Sequence, residues 1–106
     1  MYIVIFITCS NKKEAKHIAQ KLIKNRLAAC VNIIEEIESV FWWQGKIDNA
    51  REVLLIIKSK KSKLNSIIKL VKSVHSYEVP EIIALPIIGG YKPYLDWLDE
   101  SVRKSH

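Results

Sequence analysis

The sequence predicts an α+β domain of order βαββαβ with an added C-terminal helix, and three observations carry that reading. Short apolar, β-branched runs occur at four places in the 106 residues. Amphipathic helical patterns separate the first run from the second and the third from the fourth. Between the middle two runs no helical pattern intervenes and the chain turns at Q-G-K, Gln44 to Lys46, which makes them a hairpin.

"YIVIFIT" (Tyr2 to Thr8) is continuously apolar, as in a strand covered on both faces. The next segment places Ala15, Ile18, Ala19, Leu22 and Ile23 at helical spacing, with lysines on the other side. Asn11 suits its N-cap with Glu14 three residues on, and Asn25 suits a left-handed stop. "LAACVNIIEEIESVFWW" then reads as one long strand whose alternation slips near Ile34-Glu35-Glu36, the mark of a β-bulge. "REVLLIIKS" returns as the third strand. Ser62 is placed to cap a second helix carrying Leu64, Ile67, Ile68, Val71 and Val74. The fourth strand lies between Pro80 and Pro86, where a missing N–H is tolerated. After Gly89-Gly90, Pro93 sits where a final helix would have its first residue. This order is the ferredoxin-like arrangement, an antiparallel sheet with both main helices on one face, in a single domain spanning 1–106.

The second strand is too long for its own domain. From Ala29 to Trp43 it would reach roughly 45–50 Å at ~3.3 Å per residue. A chain of this size has a radius of gyration near ~13 Å, so the hairpin must overhang the sheet. Its tip, "VFWWQGK", puts bulky side chains on both faces of the ribbon, and exposed tryptophans there would be adhesive. Another subunit is the expected cover.

Composition narrows the function classes. No apolar run approaches the ~20 residues of a membrane span, and no leader pattern precedes the first strand, so a cytoplasmic protein with no membrane partner is expected. Cys9 and Cys30 lack metal or redox spacing and read as small apolar residues rather than a disulfide. The net charge of +6 owes much to the acid-free stretch from Lys58 to Lys72, which reads as a solvated helix face. RNA-recognition domains share the strand order, but they stack bases on aromatics of the first and third strands. "EVLLIIK" offers no aromatic there, so this alternative, an RNA-binding module, is disfavoured and no nucleic acid is expected as partner. No nucleophile elbow, P-loop, zinc-protease helix or dinucleotide fingerprint is present, so the chain is not expected to be an enzyme.

Three segments resemble the signatures of the CutA family, the divalent-cation-tolerance proteins. "LAACVNI" (Leu27 to Ile33) is similar to its AACVN segment. "FWWQGKIDNAREV" (Phe41 to Val53) resembles Y-x-W-x-G-x-[IV] followed by a glutamate, and "HSYEVPEI" (His75 to Ile82) resembles HPY-x-x-PE[IL]. "YLDWL" (Tyr94 to Leu98) is similar to the family's end. The resemblance implies a ferredoxin-like homotrimer in which long hairpins wrap neighbouring subunits. It also implies a link to copper and other divalent metals without a catalytic activity or a required cofactor. The architecture is similar to that of the PII signalling trimers, which bind small ligands between subunits. Copper-binding members carry a first-strand cysteine and a histidine pair before the PY motif. Those places hold Ile7, Val74 and His75 here, and Ser76 stands in place of the usual proline.

The candidate metal ligands are therefore His75 and Cys9, a displaced substitute for the family cysteine. The first strand and second helix run to the same end of the sheet, which should bring the two together. Imidazole and thiolate suit copper or zinc. Two ligands do not make a site, however, and a structural role for His75 is favoured. Glu52, at the border of an apolar strand, must be either paired or functional, with Lys46, Arg51 and Lys58 as available partners and a salt bridge favoured. Tyr77 and Glu81 flank Pro80 and could line an intersubunit cleft with Trp43. Trp42 and Trp43 are the expected interface anchors.

Overall fold

Ile3, Ile5, Ile7 and Cys9 alternate along the first strand and are all buried, so one face of that strand is core. The computed structural model describes residues 1–103. Its order is β1 (Tyr2–Cys9), α1 (Lys12–Lys24), β2 (Cys30–Trp43), β3 (Lys46–Lys60), a 3-10 turn (Lys61–Lys63), α2 (Leu64–Val74), β4 (Ile82–Pro86) and α3 (Lys92–Ser101). The strands form one antiparallel sheet in the order β2-β3-β1-β4. Ile5 pairs with Ile57, Ile7 with Leu55 and Cys9 with Val53, which stacks the buried residues of β1 and β3 on the same side.

That side is closed by Ala15, Ile18 and Leu22 of α1 and by Ile67 and Val71 of α2, in one buried cluster. Each large aliphatic side chain so buried contributes about 1.5–3 kcal/mol. Ser59 is the polar exception on this face, and its hydroxyl donates to the Leu27 carbonyl at 2.5 Å. The opposite face carries Val4, Phe6, Leu54 and Ile56, with Ile83 and Leu85 exposed. α3 reaches only one end of it, where Lys60 donates to Asp99 at 2.6 Å. The remainder is an apolar sheet face left open within the chain. No helix among the described residues is long and apolar enough to cross a membrane.

The bulge falls where the sequence places it. Pairing of β2 with β3 runs to Ile34–Leu54 and resumes at Ile37–Glu52, with Glu36 in the left-handed region at φ 59°. Beyond it the ribbon continues to a last pair, Trp43–Lys46, so β3 begins five residues before Arg51. Gln44 (φ 50°) and Gly45 (φ 79°) both take positive φ, as a two-residue type I′ hairpin requires. Trp42 is 73% exposed and Trp43 57%, and the long axis measures 46 Å. The overhang is real.

Two expected caps differ. Asn25 keeps φ −88° and bonds the Lys21 carbonyl through its side chain, while Arg26 takes the left-handed turn at φ 56°. Ser62 makes no cap, because the chain enters α2 through the 3-10 turn and Lys63 holds the cap position without a side-chain bond. Pro93 lies within the first two positions of α3, since Lys92 opens that helix.

Candidate functional site

The carboxyl end of β1, the first turn of α1 and the exit of α2 meet at one end of the sheet. Asn11 caps α1 by accepting from the Glu14 N–H at 2.8 Å. The Glu14 carboxylate turns back to accept from the Ser10 N–H at 3.0 Å and from the Ser76 N–H at 2.7 Å. A proline at position 76 would have no N–H to give, so this bond requires a residue other than proline there. Burial pushes Glu14 up, but hydrogen bonds from Ser76 and Ser10 outweigh it and hold the carboxyl below its ordinary range.

His75 stands beside this knot with its side chain fully buried. Its Nε2 lies 2.8 Å from the Thr8 carbonyl oxygen, and its Nδ1 accepts the Tyr77 N–H at 3.0 Å. A carbonyl only accepts and a backbone N–H only donates, so Nε2 carries the proton and Nδ1 the bonded lone pair. One donor atom each from Cys9, Glu14 and His75 lie within 4.8 Å of one another, so Cys9 and His75 do come together. As folded, however, neither imidazole nitrogen has a free lone pair. The Cys9 thiol is pushed up to about 12 by burial, reinforced by the charges of Glu14 and Glu52. A neutral thiol and a doubly bonded imidazole do not fit a resident metal without breaking these bonds.

Glu52 is only 8% exposed. The expected salt bridge is absent: among the described residues no lysine or arginine reaches it, and Lys58 instead bonds Asn32. The reason is directional, since Arg51 and Glu52 are consecutive in a strand, Lys46 lies at the hairpin tip and Lys58 is three pleat repeats away. The Tyr77 hydroxyl donates to Glu52 Oε2 at 2.8 Å, and burial, then that bond, pushes Tyr77 up to about 12. Glu52 also lines a cleft of about 140 Å³ with Ser10, Lys12, Glu35, Glu36, Arg51 and Val53.

Of the sequence candidates, Cys9, His75, Tyr77 and Glu52 gather here. Trp42 and Trp43 do not, because the overhang carries them to the other end of the ribbon, where Trp43 lines a separate hollow with Gln44, Lys46, Ile47 and Asp48. Glu81 is exposed just before β4. Sequence reasoning missed Glu14 and the Glu35-Glu36 rim. In the βαββαβ order the first turn of α1 lies at the same end as Cys9 and His75, and the slipped alternation at Glu35-Glu36 marks the bulge in the sequence.

Residues 3–101 match the family model described as CutA1 divalent ion tolerance protein. The chain belongs to that family. It is 50% identical over 103 residues to Protein CutA 1, chloroplastic, of Oryza sativa subsp. japonica, covering 97% of this chain and 58% of the rice protein. It is 46% identical over 102 residues to the divalent-cation tolerance protein CutA of Archaeoglobus fulgidus, covering 96% and 99% of the two chains. The rice CutA1 crystal structure superposes with a TM-score of 0.94 at 50% identity, over 98% of this chain and 95% of that one. The A. fulgidus structure gives 0.94 at 46% identity over 97% and 100%.

These relatives overturn the cytoplasmic expectation. The rice and Arabidopsis thaliana proteins are named chloroplastic, and the A. fulgidus protein is called periplasmic. The same folded unit serves in different compartments, so its composition carries no address. The chain spans just over half the length of the rice protein and of the mouse protein, 58% and 54%.

Proposed function

We propose that this CutA1 family member is a non-catalytic homotrimer that binds a small ligand in clefts between subunits, in a PII-like manner, in the service of divalent-cation tolerance. The observation that carries the reading is the pairing of two uncovered surfaces: the apolar sheet face of Val4, Phe6, Leu54, Ile56, Ile83 and Leu85, and the overhanging ribbon with Trp42 and Trp43. Each is a poor surface to leave in water, and a second copy offers the matching one. The sheet order supports the ferredoxin-like reading of the topology.

The ligand cleft on this reading is the one beside Glu52 and Tyr77, completed by a neighbour's hairpin. Glu52 is buried beside this cleft with the Tyr77 hydroxyl as its described partner, and buried carboxylates in clefts cluster at functional sites. A catalytic cysteine would need a lowered pKa, and Cys9 is driven the other way. Tolerance then follows from ligand-dependent signalling rather than from metal held at Cys9 and His75, whose donors are already bonded. Light scattering of the pure protein at micromolar concentration tests the assembly. About three times the 12.2 kDa chain mass is expected, and a folded monomer refutes the proposal.

A further inference from the structure

We infer that the helical layer, the outer faces of α1 and α2, is a docking surface for the phosphate backbone of a nucleic-acid duplex, bound without regard to sequence. Residues 12–26 and 61–72, which form that layer, hold ten of the chain's 17 lysines and arginines but one of its 11 acids. Nine of the ten cations are exposed and Lys63 is half-buried. The one acid, Glu14, turns its carboxylate inward to the Ser10 and Ser76 N–H groups. The other ten acids lie on the β2-β3 hairpin, the crossing to β4 and α3. The surplus of +6 is therefore concentrated on one layer of the molecule.

A face that serves only solubility mixes both signs and gains from acid–base pairs one helical turn apart. Neither holds here. Among the described residues only Lys12 of these ten cations reaches an acid, Glu35 at 3.4 Å. The i,i+4 ion pairs sit at α3 instead, Lys92 with Asp96 and Arg103 with Asp99. Lys61 and Lys63 lead into α2, whose first turn carries no acid, although the helix dipole favours acids there. These placements repel one another, and a polyanion laid across both helices offsets that repulsion.

The side-chain chemistry selects the occupant. Lysines present point charges, which suit phosphates, whereas bidentate reading of base edges is typically the work of arginine and amide side chains. α1 and α2 contain no Phe, Tyr or Trp, so single strands lack the platform on which their bases stack. Ile23 is the one large apolar side chain exposed on the layer, too little to enter a bilayer. The 13 residues of α1 run about 20 Å, over which a duplex presents roughly a dozen phosphate charges. The layer lies across the sheet from the open apolar face proposed to join copies, so assembly through that face leaves it accessible.

Fluorescence anisotropy on the intact protein tests this with a labelled DNA duplex of about 20 base pairs and a single strand of the same length, at about 0.1 M salt. Co-sedimentation with vesicles of mixed phosphatidylserine and phosphatidylcholine runs beside it. The duplex is expected to bind in the micromolar range, with an affinity that falls log-linearly as salt rises. Two layer variants, Lys16→Gln/Lys24→Gln and Lys69→Gln/Lys72→Gln, change only exposed residues. Each is expected to weaken the duplex roughly tenfold and to reduce the salt slope by about two. Lys46→Gln/Lys92→Gln removes the same charge away from the layer and is expected to leave the affinity nearly unchanged. Equal weakening by all three variants would mean general attraction to a basic protein and overturns the inference. So does an absence of duplex binding, tighter binding of the single strand, or binding of the vesicles alone, which would make the layer a membrane surface.

Discussion

His75 Nε2 sits 2.8 Å from the carbonyl oxygen of Thr8, joining the residue that ends α2 to the last turn of the pleat in β1. The same ring accepts the Tyr77 N–H through Nδ1. One neutral tautomer satisfies both bonds, and the ring is locked between the helical layer and the chain that crosses to β4. The imidazole at the end of α2 thus serves as a clamp, and the thiol of Cys9 beside it stays protonated.

His75→Ala is accordingly expected to cost about 2–3 kcal/mol, because a buried carbonyl and a backbone N–H each lose a partner. Urea unfolding of wild type and variant measures it. Calorimetric titration with copper and with zinc is expected to give the same weak or null isotherm for both proteins. A stoichiometric site lost in His75→Ala would show that the clamp opens for metal.

The strands β1 and β3 were legible, but not which face is core: "YIVIFIT" and "VLLII" are apolar throughout and read as covered on both faces, whereas within the chain Ile3, Ile5, Ile7, Leu55 and Ile57 are buried and Val4, Phe6, Leu54 and Ile56 lie on the open face. The bulge was legible because a slipped alternation at Ile34-Glu35-Glu36 has few other causes. Glu52 was legible as an anomaly but not in its resolution. Which partner a border carboxylate takes depends on side-chain direction across the end of the sheet, and no spacing rule encodes the reach of Tyr77 to it. The caps at Asn25 and Ser62 were misread because the neighbours Arg26 and Lys63 can hold those backbone conformations at modest cost. Glu14 satisfied the capping-box pattern, yet its carboxylate went to Ser10 and Ser76, a tertiary bond invisible to local pattern.

Cys9 and Tyr77 give the protein an alkaline limit. Both groups have folded pKa values raised to about 12, from 9.0 and 10.0. Their contribution is complete below pH 9 and is lost as pH rises from 9 toward 12, because the unfolded state ionises first. Urea midpoints measured from pH 8 to 11 should fall in wild type and fall less steeply in Cys9→Ala. At pH 8 iodoacetamide is expected to alkylate the half-buried Cys30 well before Cys9.

Glu14 sets the acid limit. Its folded pKa lies below 4.5, so its contribution is complete above that value and disappears as pH falls through the folded pKa. Glu14→Gln is expected to cost about 1–2 kcal/mol at neutral pH, as loss of charge-assisted bonds does. Its stability should then change less than that of wild type between pH 5 and pH 2.5. Parallel acid limbs for the two proteins would mean that other carboxylates govern acid unfolding.

Trp42 and Trp43 test the overhang. A two-stranded ribbon that projects beyond its sheet has little to hold it in water, and these two side chains are its largest apolar surfaces. If a neighbouring copy covers them, they are the aromatic anchors of that contact, and truncating either to alanine should cost about 2 kcal/mol or more in assembly. Sedimentation over a dilution series reads the shift in dissociation, roughly thirtyfold for that energy. The isolated fold should change little, since neither side chain belongs to the buried cluster. Gly45→Ala supplies the contrast: it strains the turn at φ 79° while meeting no neighbouring atom within 4 Å, so it should loosen the ribbon without removing contact area. Variants of both tryptophans that associate and melt like wild type would mean that the ribbon stands free and the open sheet face alone joins the copies.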